Sequence, residues 1–158
     1  MNRVAHTFPP VFDKNSEILI LGSFPSVKSR ENLFFYGHQQ NRFWKVIAAV
    51  CEARVPATIP DKKNLLLANR IALWDVIASC EVKGSSDASI INAAPNDLSI
   101  IFQSAEIKKI LLNGKTAEKF FKRFYFNKKA ICLPSTSPAN ARWKLEGLIE
   151  IWREAIKK

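Results

Sequence analysis

The stretch Glu17 to Ser26, EILILGSFPS, decides the fold. Its first half is an apolar run of strand length without polar alternation, which suits a strand covered on both faces; its second half is an exit of small residues and proline. Three further runs of the same kind follow, Ile71 to Ile77 (IALWDVI), Lys109 to Leu112 (KILL) and Lys129 to Leu133 (KAICL). Such runs can also be pieces of buried helix, so the segments between them settle the class. Phe43, Ile47 and Val50, with Trp44 and Cys51 alongside, recur at helical spacing, and so do Ala117, Phe120, Phe121 and Phe124. Trp143, Leu145, Leu148, Ile149, Trp152 and Ile156 repeat the pattern and run into lysines, the charge that a helix C-terminus favours. Asp61 and Asp97 are candidate N-caps of two more helices. Strands alternating with helices imply right-handed crossovers and a three-layer α/β/α fold around a doubly wound, mostly parallel, four-stranded sheet. The segment Ser79 to Asn96, with GSSDAS and AAPN, reads as a long connection, mobile or facing a substrate.

The 158 residues fit one ordinary domain, and the 47% apolar content can fill its core. Lysine and arginine number 24 against 14 acidic residues, a net charge of +10 that favours a polyanionic partner, nucleic acid first. The plainer alternative is that these charges solvate helix faces, as Lys119, Lys122 and Arg123 are expected to do. Cys51, Cys80 and Cys132 are scattered and read as reduced thiols of a cytoplasmic protein. His6 and His38 are the only histidines, too few for a His-rich metal centre, so neither metal nor cofactor is expected. The N-terminus lacks a signal peptide's apolar core, and no run approaches the ~18–20 apolar residues of a membrane span.

In an open parallel sheet, ligands bind beyond the carboxyl ends of the strands. Those places read GSFPS (Gly22 to Ser26) with the loop to Trp44, WD (Trp74, Asp75), NG (Asn113, Gly114) and PSTSPANAR (Pro134 to Arg142). Ser, Thr and Asn with interleaved aromatics and arginines suit hydrogen bonding to a base edge, stacking on its face and contacts to phosphates. Gly22 before Pro25 is either a close backbone approach to a ligand or an ordinary strand-ending turn. Neither GxGxxG nor GxxxxGK[ST] occurs, which removes the usual support for dinucleotide or triphosphate binding and, with it, for a flavodoxin-like reading.

Taken together, ILGSFPS, FYGHQQNRFW, ALWDVI, LLNGKTA and STSPANAR resemble the uracil-DNA glycosylase superfamily, and within it the hypoxanthine-DNA (deoxyinosine) glycosylase branch. The resemblance covers most of the chain and implies a single DNA glycosylase domain over residues 1–158. It departs from most of the superfamily at Phe24, where an Asp or Asn usually precedes the motif proline, and at Ser135 and Ala139, where the second motif usually carries His and Leu.

The resemblance implies that Asn41, in the NRFW segment, supplies the catalytic amide, placing a water or holding the substrate beneath the glycosidic carbon. Phe24, Tyr36, Asp75 and Asn113 are the base-binding candidates: Asn113 as donor to O6 and acceptor from N1–H, the aromatics as stacking faces. Set against these roles, Asn113 with Gly114 can be a plain strand-end turn, the aromatics can belong to the core, and Asp75 can cap a neighbouring loop. Ser23, Ser26, His38, Arg42, Ser137, Pro138, Asn140 and Arg142 are the DNA-binding candidates, with Asn140 or Arg142 in place of the absent leucine wedge. The expected activity is hydrolysis of the N-glycosidic bond of a flipped deaminated base by a cytoplasmic monomer without lyase activity. The alternatives are a uracil- or mismatch-directed glycosylase and a binding module that has lost catalysis.

Overall fold

The computed structural model describes residues 3–82 and 90–157. The apolar runs become strands β2 (Ile18–Gly22), β3 (Ile71–Asp75), β6 (Lys109–Asn113) and β7 (Ile131–Leu133), which form a parallel sheet in the order β3-β2-β6-β7. Leu19, Ile20 and Leu21 have no exposure, and every residue of β3 is buried, which is why neither run alternates.

From β2 the chain crosses to β3 through helices α1 (Val27–Asn32), α2 (Phe43–Val50) and α3 (Ile59–Ala68); from β6 it crosses the other way to β7 through α5 (Lys115–Phe124). Right-handed crossovers in opposite directions put the first group of helices on one face and α5 on the other. The packing agrees. The C-terminal helix α6 (Leu145–Lys157) lies on α2, while α5 packs on β6 and β7; Lys128, beyond the end of α5, stacks over Phe102 of the single turn α4 (Ser99–Phe102). In this doubly wound sheet β2 and β6 are the neighbours from which the chain departs in opposite directions, so the crevice above them is the switch point.

A second sheet is the main difference from the expected architecture. The run IALWDVI is not one strand: after Asp75 the backbone N–H groups of Val76 and Ile77 donate to the carbonyls of Gly22 and Ser23, and the chain leaves the parallel sheet. It continues as β4 (Ile77–Glu81), paired antiparallel with β1 (Arg3–Ala5) and β5 (Ile91–Pro95). Much of the connection expected over Ser79 to Asn96 is therefore strand; its GSSDAS segment lies outside the described residues.

Two cap readings need adjustment. Thr58, not Asp61, caps α3, its hydroxyl accepting from the Asp61 N–H, while Asp97 accepts from the N–H and hydroxyl of Ser99 at the start of α4. Trp143 precedes α6 instead of lying in it.

Candidate active site

Strand register brings the site together. Gly22 pairs with Asp75, Leu21 with Leu112, and Asn113 with Leu133, so Asp75, Gly22, Asn113 and Leu133 form one row across the carboxyl edge of the sheet. Residues in register share a face, so Asp75 and Asn113 project together with the side-chain-free Gly22 between them. The gap holds the polar ends of two side chains. A Cβ on Gly22 would meet Asp75 Oδ1 at 2.4 Å and the Tyr36 hydroxyl at 2.8 Å, so the glycine serves a close approach, one of the two readings its sequence context left open.

Above this row lies a cavity of about 460 Å³, within the ordinary size range of ligand pockets. All four strand-end segments contribute to it, including Phe24, Tyr36, Asn41, Asp75, Asn113 and Thr136.

One hydrogen-bonded chain fixes the amides. Asn113 Oδ1 accepts from the Thr136 backbone N–H at 3.0 Å, which sets the orientation of its carboxamide. Its Nδ2 then donates to the Tyr36 hydroxyl at 3.1 Å and to Thr136 Oγ1 at 3.0 Å. The Thr136 hydroxyl, with no exposure, donates onward to Asn41 Oδ1 at 2.9 Å. Asn41 Oδ1 also accepts from the Phe43 N–H at 2.9 Å, an orphan donor in the first turn of α2. With both lone pairs of that oxygen engaged, Asn41 offers a ligand its Nδ2–H donors. Asn113 Nδ2 can donate to a base only by exchanging one of its two present acceptors, the Tyr36 hydroxyl or Thr136 Oγ1, both on residues that line the cavity.

The aromatic candidates are held differently. Tyr36 stacks on Phe43 with centroids 4.1 Å apart and sits at a φ of 53°, a left-handed conformation seldom adopted by a bulky residue. Phe24 is half-buried and lines the cavity, with the Arg30 guanidinium 5.7 Å above its ring.

Ser23, Ser26, His38, Ser137 and Pro138, named above as DNA-binding candidates, line the cavity, and the Ser26 hydroxyl also caps α1 by accepting from the Ser29 N–H. Arg42 requires a correction. Its guanidinium donates to the carbonyls of Thr136, Ser137, Asn140 and Trp143, so it staples the loop between β7 and α6 to the start of α2 instead of reaching a phosphate. Asn140 is likewise turned inward, its Nδ2 donating to the Ser135 carbonyl at 2.9 Å. Arg142 is exposed and makes no side-chain hydrogen bond or ion pair among the described residues.

Sequence reasoning missed His6 and Thr136. Thr136 lies within the quoted PSTSPANAR and carried a usable signal; His6 follows a three-residue edge strand that no periodicity marks.

Residues 9–156 match the family model of the uracil DNA glycosylase superfamily. The chain belongs to the uracil DNA glycosylase superfamily. It is 34% identical over 156 residues to a protein named hypoxanthine DNA glycosylase from Methanosarcina barkeri, covering 96% of this chain and 97% of that one. A protein of the same name from Methanosarcina acetivorans is 36% identical over 141 residues, covering 86% and 88%. Among solved structures, a solution NMR structure of a candidate uracil DNA glycosylase from Methanosarcina acetivorans superposes with a TM-score of 0.81 at 31% identity, covering 95% of this chain and 94% of that one. The parallel sheet of this chain is thus that of a uracil DNA glycosylase-like fold.

Proposed function

We propose that this DNA glycosylase releases hypoxanthine from DNA, hydrolysing the bond between the base and deoxyribose of a flipped deoxyinosine and leaving an abasic site. The observation that carries the reading is the row Asp75, Gly22, Asn113 with the fixed Asn41 beside it, a set of neutral donors and one acceptor at the switch point of a basic protein. The relatives' name adds the base.

The N-glycosidic bond breaks through an oxocarbenium-like state in which the departing base gains negative charge and the sugar positive charge. Asn41 cannot act as a general base, since an amide neither takes nor gives a proton near neutral pH. It acts as a donor: an Nδ2–H holds the oxygen of a water beneath the glycosidic carbon, and an oxocarbenium centre is electrophilic enough to take an un-ionised water, whose surplus proton goes to the departing base anion. Preorganised donors toward the leaving base contribute ~2.7–4 kcal/mol each, and Asn113, once its Tyr36 bond is exchanged for the base, is such a donor toward O6. Asp75 Oδ1 accepts from the ring N–H of hypoxanthine. Adenine presents a lone pair at that atom, so the pocket rejects the undamaged base.

No lysine lines the cavity among the described residues, and a lyase step needs an amine nucleophile. Action as a single-domain, cytoplasmic monomer is part of the same proposal; no helix among the described residues is long and apolar enough to cross a membrane. The test is single-turnover base release from matched duplexes carrying one hypoxanthine or one uracil. Faster release of hypoxanthine and no borohydride-trapped adduct are expected; faster release of uracil would reassign the substrate, and a trapped adduct would overturn the hydrolytic mechanism.

A further inference from the structure

Asp75 is 4% exposed and is the one acidic side chain lining the cavity among the described residues. An isolated buried carboxylate is costly, and one that faces a leaving base about to gain negative charge also opposes the reaction. His6 Nε2 lies 2.8 Å from Asp75 Oδ2, with side-chain exposures of 2% and 5% for the pair. Among the described residues, the one ion-pairing distance to this carboxylate is from His6.

The imidazole is itself immobilised. The His6 backbone N–H donates to the Ala78 carbonyl at 2.7 Å, extending the pairing of β1 with β4. Its ring packs among Phe8, Phe24, Phe35 and Trp74, with centroids 4.4 to 6.4 Å away. The second sheet therefore delivers the imidazole to the back of the pocket.

We infer that His6 is the positioning residue of base recognition: its Nε2–H holds Asp75 Oδ2, draws the carboxylate's charge away from the cavity, and so presents Oδ1 over Gly22 as the acceptor for a ring N–H adjacent to a carbonyl. This rests on the glycosylase reading above. The ligand class follows from the geometry. Hypoxanthine and uracil both carry an N–H beside a carbonyl, whereas adenine carries a lone pair at the corresponding ring nitrogen. His6 touches neither the base nor the sugar; it acts through Asp75.

The test is single-turnover release from hypoxanthine and uracil duplexes by full-length wild type, His6→Phe, His6→Gln, Asp75→Asn and the double variant His6→Phe/Asp75→Asn. His6→Phe keeps an aromatic ring in the box and removes the donor; His6→Gln restores a donor near the Nε2 position. Loss of one hydrogen bond to a charged group predicts a fall of about 10- to 100-fold in His6→Phe, with duplex affinity within about threefold of wild type. His6→Gln is expected to recover most of the lost rate, and the double variant to be no slower than Asp75→Asn alone. A folded His6→Phe that releases base at the wild-type rate, a His6→Gln as slow as His6→Phe, or losses that multiply in the double variant would each overturn the inference. Wild type inert on both duplexes refutes the glycosylase reading and the inference with it; active wild type with an unaffected His6→Phe refutes the inference alone.

Discussion

Replacing Thr136 by valine keeps the shape of a fully buried side chain and deletes one oxygen, which makes the hydrogen-bonded chain measurable. The hydroxyl accepts from Asn113 Nδ2 at 3.0 Å and donates to Asn41 Oδ1 at 2.9 Å. Its loss leaves a buried Asn113 N–H without an acceptor, which costs about 1–3 kcal/mol, and for a chain of this size that corresponds to a fall in Tm of about 2–12 °C. Asn41 keeps its bond from the Phe43 N–H and can swing about it. Misplacement of a catalytic group by about 1 Å can cost ~100-fold in rate, so single-turnover hypoxanthine release should fall about 10- to 100-fold at unchanged duplex affinity. Thr136→Ser, which retains the hydroxyl, should recover most of the rate. The reasoning is refuted if Thr136→Val, folded and with the expected drop in Tm, releases base as fast as wild type, because Asn41 would then not depend on this bond.

Gly22→Ala places a methyl group 2.4 Å from Asp75 Oδ1 and 2.8 Å from the Tyr36 hydroxyl, so base release should drop more than about tenfold while circular dichroism stays native; wild-type release would mean the pocket floor yields freely. Arg42→Ala should cost about 2–4 kcal/mol in chemical denaturation, because four carbonyls lose a charged donor, and should leave the salt dependence of DNA binding unchanged. Arg142→Ala should do the reverse, lowering the slope of log affinity against log salt by about one with little change in stability. Burial pushes the Cys51, Cys80 and Cys132 thiols above their usual pKa, so each holds less thiolate than a free cysteine at any given pH; alkylation by iodoacetamide near pH 8 should be slower than that of a small-molecule thiol, and fast labelling would contradict this.

The parallel sheet was legible because burial on both faces writes unbroken apolar runs such as EILIL, and helices with one wet face write the spacing of Phe120, Phe121 and Phe124. The second sheet was not. Its strands are short, and β4 continues directly from β3 across Val76, so one apolar run carried two strands whose partners lie in different sheets. Position at strand ends marked Asp75 and Asn113 as candidates, whereas Asn41, two residues before α2, was nominated by the family resemblance of its NRFW segment. What a polar side chain does once there was not legible from position. Arg42 and Asn140 look like DNA contacts in a list of loop residues, yet the carbonyls of a tight proline-bearing loop need donors, and these two supply them. His6 was hidden for a different reason: its partner Asp75 lies 69 residues away, and nothing local in RVAH signals the pairing.

The most direct test of the account is single-turnover release of hypoxanthine from a matched duplex by wild type and Asn41→Ala, with folding and duplex affinity measured on the same preparations. Release by wild type, together with a loss of about 100-fold or more in an Asn41→Ala protein that still folds and binds, is the predicted result. Release by Asn41→Ala at the wild-type rate would contradict the assignment of the catalytic amide, and an inert wild type would contradict the assigned reaction.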